Sequence, residues 1–203
     1  MKQSILNLLL LTLVAAGAQA TPQSFDFKDP KGVNNAVFKL DAPLEAINGS
    51  ANGISGTVSF DPENPGATKG KILVNSSSLH VGNPMMKEHL QSDKWLDVTK
   101  HSEIRFDVTE LKNVKTEGNS TTADATGTFT VKGITKNLRV PVKLTYLKDK
   151  LSQRVPNTKG DLLVIRSNFS IKRSDFGIMP GQMEDKVSDA IDLTLSIAGA
   201  SAR

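Results

Sequence analysis

Apolar residues recur at every second position along most of this chain, a period that puts successive side chains on opposite faces of an extended strand. Leu138, Val140, Val142, Leu144 and Tyr146 share one face, while Asn137, Arg139, Lys143 and Thr145 share the other. Just upstream, Ala125, Gly127, Phe129 and Val131 alternate with Thr126, Thr128, Thr130 and Lys132. Lys132-Gly133-Ile134-Thr135 joins the two runs tightly, which makes a hairpin. The same alternation groups Ile104, Phe106 and Val108, then Leu163, Ile165, Phe169 and Ile171, then Ile191, Leu193, Leu195 and Ile197. Shorter runs at Ala36-Phe38-Leu40, Ile54-Val58-Phe60 and Ile72-Val74 bring the total to about eight strands, with Asn48-Gly49, Asn52-Gly53 and residues 61–66 as turns between the early ones. The fold class is all-β. One apolar face per strand fits an antiparallel sheet folded into a sandwich or closed on itself. Closure is preferred, because long strands then need not stop at edges that invite aggregation. An eight-stranded barrel either fills with its own side chains or encloses one small ligand. By parity, Phe106, Phe129, Val140, Val142, Phe169, Leu193 and Leu195 face its interior.

Other features narrow the function. Met1-Lys2 gives a positive start, residues 5–16 are almost unbroken apolar, and Ala18-Gln19-Ala20 is the small-x-small triplet that a signal peptidase accepts. Residues 1–20 are therefore expected to be an export signal, leaving 21–203 as one domain, periplasmic or secreted. The apolar run is shorter than the roughly 20 residues needed to span a bilayer, so no membrane span is expected. The chain has no cysteine, which excludes disulfide scaffolds, thiol catalysis, thiolate zinc sites and a lipidated N-terminal cysteine. Its formal charge of +4 is too small and too evenly spread for a nucleic-acid grip.

Between residues 76 and 102 the alternation stops, and this stretch holds all three histidines and the only tryptophan. Asn83-Pro84 starts a short helix in the 84–92 connection, bringing Met85, Met86 and His89 or Leu90 to one side. Met179 and Met183 lie in a second irregular segment, residues 177–185. With Trp95, these methionines either plug the ends of the barrel or form an adaptable apolar mouth for a flexible ligand. His80, His89 and His101 are nine and twelve residues apart, a spacing that matches no compact metal site, so no metal or other cofactor is expected. There is no Gly-x-Ser-x-Gly elbow and no His-Glu-x-x-His, so no catalytic residue is nominated. If the strand from Leu163 continues without a bulge, Arg173 shares the inward face of Phe169 and Ile171. A guanidinium there needs partners: it either pairs with Asp175, Asp185 or Asp189 and pins the 177–185 loop, or it presents donors to a ligand head group.

At this point the chain resembles the YceI-like family of secreted bacterial lipid-binding barrels. The resemblance covers nearly all of residues 21–203 and is most specific at Gly127-Thr128-Phe129-Thr130-Val131-Lys132-Gly133-Ile134-Thr135-Lys136, Val140-Pro141-Val142 and Ile171-Lys172-Arg173-Ser174-Asp175-Phe176-Gly177. His89-Leu90-Gln91-Ser92 and Trp95-Leu96-Asp97 are similar to the family's helix and its aromatic continuation. The chain departs from the family where Met86-Lys87 replaces an Arg-Asp pair and where Asp41 replaces a histidine. The resemblance implies an extended, lipocalin-like barrel and a non-enzymatic protein that holds a polyisoprenoid, isoprenoid quinone or fatty-acid derivative. The ligand-contacting residues would be Met85, Met86, His89, Trp95, Phe106, Phe129, Phe169, Arg173, Met179 and Met183. The alternative is a stress-response or interaction module with a side-chain-filled barrel. A homodimer is compatible with either.

Overall fold

The computed structural model describes residues 21–203, so the export-signal expectation lies outside the described residues. Eleven strands pair antiparallel in one sheet: β1 (Gln23–Asp26), β2 (Asn35–Asp41), β3 (Ala46–Ala51), β4 (Ile54–Phe60), β5 (Lys69–Asn75), β6 (Leu79–Val81), β7 (Glu103–Glu117), β8 (Ser120–Val131), β9 (Ile134–Leu147), β10 (Gly160–Lys172) and β11 (Ala190–Ala202). Two helices, α1 (Pro84–Gln91) and α2 (Leu151–Arg154), lie in connections. The sheet closes because β1 pairs with β4 on one side and with β11 on the other, Asp26 standing opposite Ala200.

The eleven strands make eight staves of an up-and-down barrel. The first three staves are each broken in two. Between them β1 and β2 span one stave, since β11 pairs with both. Likewise β2 pairs with β3, β3 with β6, and β4 with β5, so β3–β4 and β6–β5 run alongside each other as two long, interrupted strands. Three half-staves are therefore additions to the sequence-based set. Residues 48–49 form part of β3 instead of a turn, and Leu79 and Val81 are buried in β6 with His80 outward. Gly49 is needed at its place because an added Cβ would fall 2.1 Å from Phe38 Cζ and 2.6 Å from the His80 carbonyl. The long hairpins follow the alternation closely. Lys132 and Gly133 both have positive φ, 49° and 75°, the geometry of the turn that matches strand twist.

The break in the first stave is repaired by a side chain. Asn34 donates from Nδ2 to the carbonyls of Phe27 (3.0 Å) and Ala198 (3.1 Å), while its Oδ1 accepts from the Ala198 N–H at 2.9 Å. It thus gives β11 the pairing that backbone would supply. Arg154, at the end of α2, donates to Asn34 Oδ1 and to Asp29.

Three carboxylates tie the barrel's connections. Burial alone would raise each, but hydrogen bonds outweigh it and hold each below the usual carboxylate range. Asp29 accepts from the N–H groups of Asn34, Lys31 and Val33 and faces Arg154. Asp161 accepts from the Asp149 N–H, the Tyr146 hydroxyl and Arg203. Asp189 accepts from both the N–H and the hydroxyl of Ser174 and feels the charge of Arg173. A carboxyl lowered in the folded state stabilises fully above its unfolded value, about pH 4, and loses that contribution as pH falls towards the lower folded value. The urea midpoint is accordingly expected to drop as pH falls below about 4, and Asp161→Asn is expected to shrink that drop. An acid dependence unchanged in Asp161→Asn would remove Asp161 from the account.

Candidate functional site

The inward faces of the staves do not meet. They enclose a cavity of about 210 Å³ that runs from the 82–102 and 173–189 connections to the middle of the barrel. Phe106, Phe129, Val140, Val142, Phe169, Leu193 and Leu195 all line it. Ala36, Ala51, Ala125 and Ser167 contribute small side chains to the lining. Phe129 centres that wall, with ring centroids 6.1 Å from Phe106, 6.3 Å from Phe169 and 5.7 Å from Phe176, all edge-on.

The far end is closed by aromatics. Phe25, Phe60 and Tyr146 pack within 6.5 Å of one another, with Phe27, Leu163 and Ile197 fully buried among them. The near end is roofed by Leu90, Trp95, Leu96, Phe176 and Ile178. Leu90 and Trp95 line the cavity and are also partly exposed, which makes this end the mouth.

Almost every lining group is apolar, and the polar side chains that line the cavity are already hydrogen-bonded. Thr68 donates to the Pro65 carbonyl and Ser167 to the Pro141 carbonyl, each at 2.6 Å, and Thr194 to the Asn168 amide oxygen at 2.7 Å. Arg173 is fully buried just beyond β10. Its Nε donates to Ser188 O (3.2 Å), Nη1 to Ile178 O (2.8 Å) and Met179 O, and Nη2 to Val187 O (3.1 Å) and Gln182 O. Five carbonyls therefore take all five N–H donors. Among the described residues Arg173 makes no ion pair, so the expected carboxylate partners are replaced by backbone. The loop can offer that many carbonyls because Gly177, Met179, Gly181 and Met183 all have positive φ, between 44° and 68°, which turns the chain around the guanidinium. The open face of the cation lies 5.8 Å from the Trp95 ring centroid.

The residues singled out in the sequence divide into groups. Trp95, Phe106, Phe129, Phe169 and Arg173 line the cavity. On α1 the Asn83 side chain accepts from the N–H groups of Met85 and Met86, fixing the helix start. Met86 and Leu90, four apart, then turn into the roof, while Met85 and His89 on the adjacent face are exposed. Met179 meets Arg173 through its carbonyl, and the Met183 side chain is exposed. The roof residues Leu96, Phe176 and Ile178 are absent from the expected ligand contacts. Their signal was present in the apolar pair flanking Gly177 and in the leucine beside Trp95.

A family model described as a YceI-like domain matches residues 29–198. A UPF0312 protein of Pseudomonas aeruginosa is 30% identical over 152 residues, 74% of this chain and 72% of its own. Protein YceI of Shigella flexneri is 27% identical over 201 residues, 98% of each chain. Among solved structures, Burkholderia cenocepacia BcnA superposes with a TM-score of 0.63 at 20% identity, over 81% of this chain and 94% of its own. A polyisoprenoid binding domain from Saccharophagus degradans superposes with a TM-score of 0.59 at 12% identity, over 90% and 99%.

Proposed function

Because the chain belongs to the YceI-like family, we propose that it is a non-enzymatic binding protein that holds one long apolar molecule in its barrel. The ligand class is a polyisoprenoid, an isoprenoid quinone or a fatty-acid derivative, and the place of action is the periplasm or the exterior of the cell. One observation carries the proposal: the cavity is walled almost entirely by hydrocarbon, and its Thr68, Ser167, Arg173 and Thr194 donors are all committed to backbone or side-chain carbonyls of the protein. A polar or charged molecule inside would lose its hydration and gain no partner. A hydrocarbon tail loses nothing, and ten buried methylene groups contribute about 8 kcal/mol before ordering costs. The tail therefore supplies the affinity and the head group stays at the mouth beside Trp95. The name carried by the Saccharophagus degradans neighbour supports the same ligand class.

Native mass spectrometry of the protein purified without detergent from its own host tests this. A retained mass that an organic extract identifies as an isoprenoid or acyl lipid is expected, at one per chain. Trp95 is the only tryptophan, so adding a long-chain polyprenol to stripped protein is expected to shift its emission to shorter wavelength as water leaves the mouth. Absence of any retained lipid, together with no emission change for polyprenol, quinone or fatty acid, would sink the proposal.

A further inference from the structure

The meander of the barrel puts four connections at the mouth: residues 42–45, 82–102, 132–133 and 173–189. Each gives one exposed large apolar side chain, in the connection or on the residue that ends it: Leu44 (67% exposed), Met85 (66%), Ile134 (39%) and Met183 (48%). Four of the seven exposed large apolar side chains among the described residues therefore ring one end, whereas the opposite end carries only Val155 and the other two lie along the first stave. Three of these four connections touch one another. The Leu44 N–H donates to the Asp185 carbonyl at 2.9 Å, two residues from Met183, and the Ile134 side chain lies against Gly177 of the same loop.

We infer that this rim is a membrane-docking surface, with which the protein rests mouth-down on a bilayer of neutral lipids. The inference rests on the carrier reading, because it supplies the dry path such a cargo needs. A long hydrocarbon leaves a bilayer readily only into a second apolar phase, and a ring of apolar tips around a hydrocarbon-walled mouth joins the two. Charge chooses the bilayer. The four connections hold Lys87, Lys94, Lys100, Lys132 and Lys186, but their carboxylates outnumber these amines, so an anionic surface exerts no net attraction. Separate single side chains on four loops also suit shallow insertion into a soft interface. A protein partner would instead need a contiguous, shape-matched patch.

The test is flotation of the whole protein with phosphatidylcholine vesicles. Wild type is expected to float with them, with little dependence on salt. Leu44→Asn combined with Ile134→Asn is expected to cut partitioning about tenfold or more, from two buried side chains at about 0.8 kcal/mol per methylene group. The unfolding midpoint should not change, because both residues are exposed. Val33→Asn and Val155→Asn, away from the rim, are expected to float as wild type does. Peroxide oxidation of the exposed methionines in unmutated protein should weaken flotation in the same direction. Wild type that stays with the soluble fraction overturns the inference and leaves the rim to a protein partner, and flotation only with anionic vesicles at low salt overturns it too. Lipid retained without flotation removes docking and keeps the carrier, whereas flotation with neither retained lipid nor any emission change keeps docking and removes the carrier.

Discussion

Arg173→Met is expected to lower the unfolding free energy by about 3–5 kcal/mol, the usual cost of removing one partner from a buried charged network. The loss comes from what is left behind. Carbonyls of Ile178, Met179, Gln182, Val187 and Ser188 all point at the guanidinium, and the bonds to Ile178 and Val187 are buried from water. Each buried acceptor without a donor costs about 1–3 kcal/mol, so the loop would rather unwind than keep them. Unwinding also releases Met179 and Met183 from positive φ, which is unfavourable for a side chain with a Cβ. For a chain of this size the melting temperature is expected to fall by about 10 °C. Arg173→Lys is expected to recover only part of the loss, since an ammonium has three donors for five acceptors. Differential scanning calorimetry of the three proteins decides it, and a fall of less than about 2 °C for Arg173→Met would mean that the loop holds itself.

Filling the cavity is expected to separate cargo from stability. Val142 lines the middle of the channel and stands between two small residues, Ala123 on β8 and Ser167 on β10. Val142→Phe would direct a ring into that gap. Displacing only two methylene groups of a tail, at about 0.8 kcal/mol each, lowers affinity roughly tenfold, and blocking everything deeper lowers it further. The unfolding midpoint should hold or rise, because the ring gains contacts where there was a void. Polyprenol titration followed through Trp95, beside a denaturation curve, reads both quantities. Undiminished affinity would place the tail outside the barrel.

Parity along the long hairpins made most of the wall legible in advance. On β8 and β9 nothing interrupts the two-residue period, so Phe129, Val140 and Val142 could be assigned to the interior from spacing alone. The half-staves were illegible for a physical reason: β3 contains Gly49, β6 is three residues long, and β1 has Phe25 as its one apolar residue facing in. A strand that short is recognisable only through the partners it pairs with. The inward direction of Arg173 followed from parity, but its partners did not. Those carbonyls depend on left-handed backbone at two methionines, a conformation that methionine does not signal. The mouth was harder still. Met85 and Met86 are neighbours of the same type, and only the start of α1 at Asn83 decides which one turns inward.

The stave shared by β1 and β2 has one more consequence, for the order in which the barrel assembles. Its pairing with β11 joins the first strand to the last, so the sheet cannot close until the whole sequence is present. Contacts between such distant segments pay their loop-closure entropy late, and folding in the millisecond-to-second range is expected. Before β11 docks, β10 and the β1–β2 stave each carry an unpaired edge. The growing sheet is therefore most open to aggregation just before its final strand docks, and Asn34, holding both the N–H and the carbonyl of Ala198, acts as the latch on that last step.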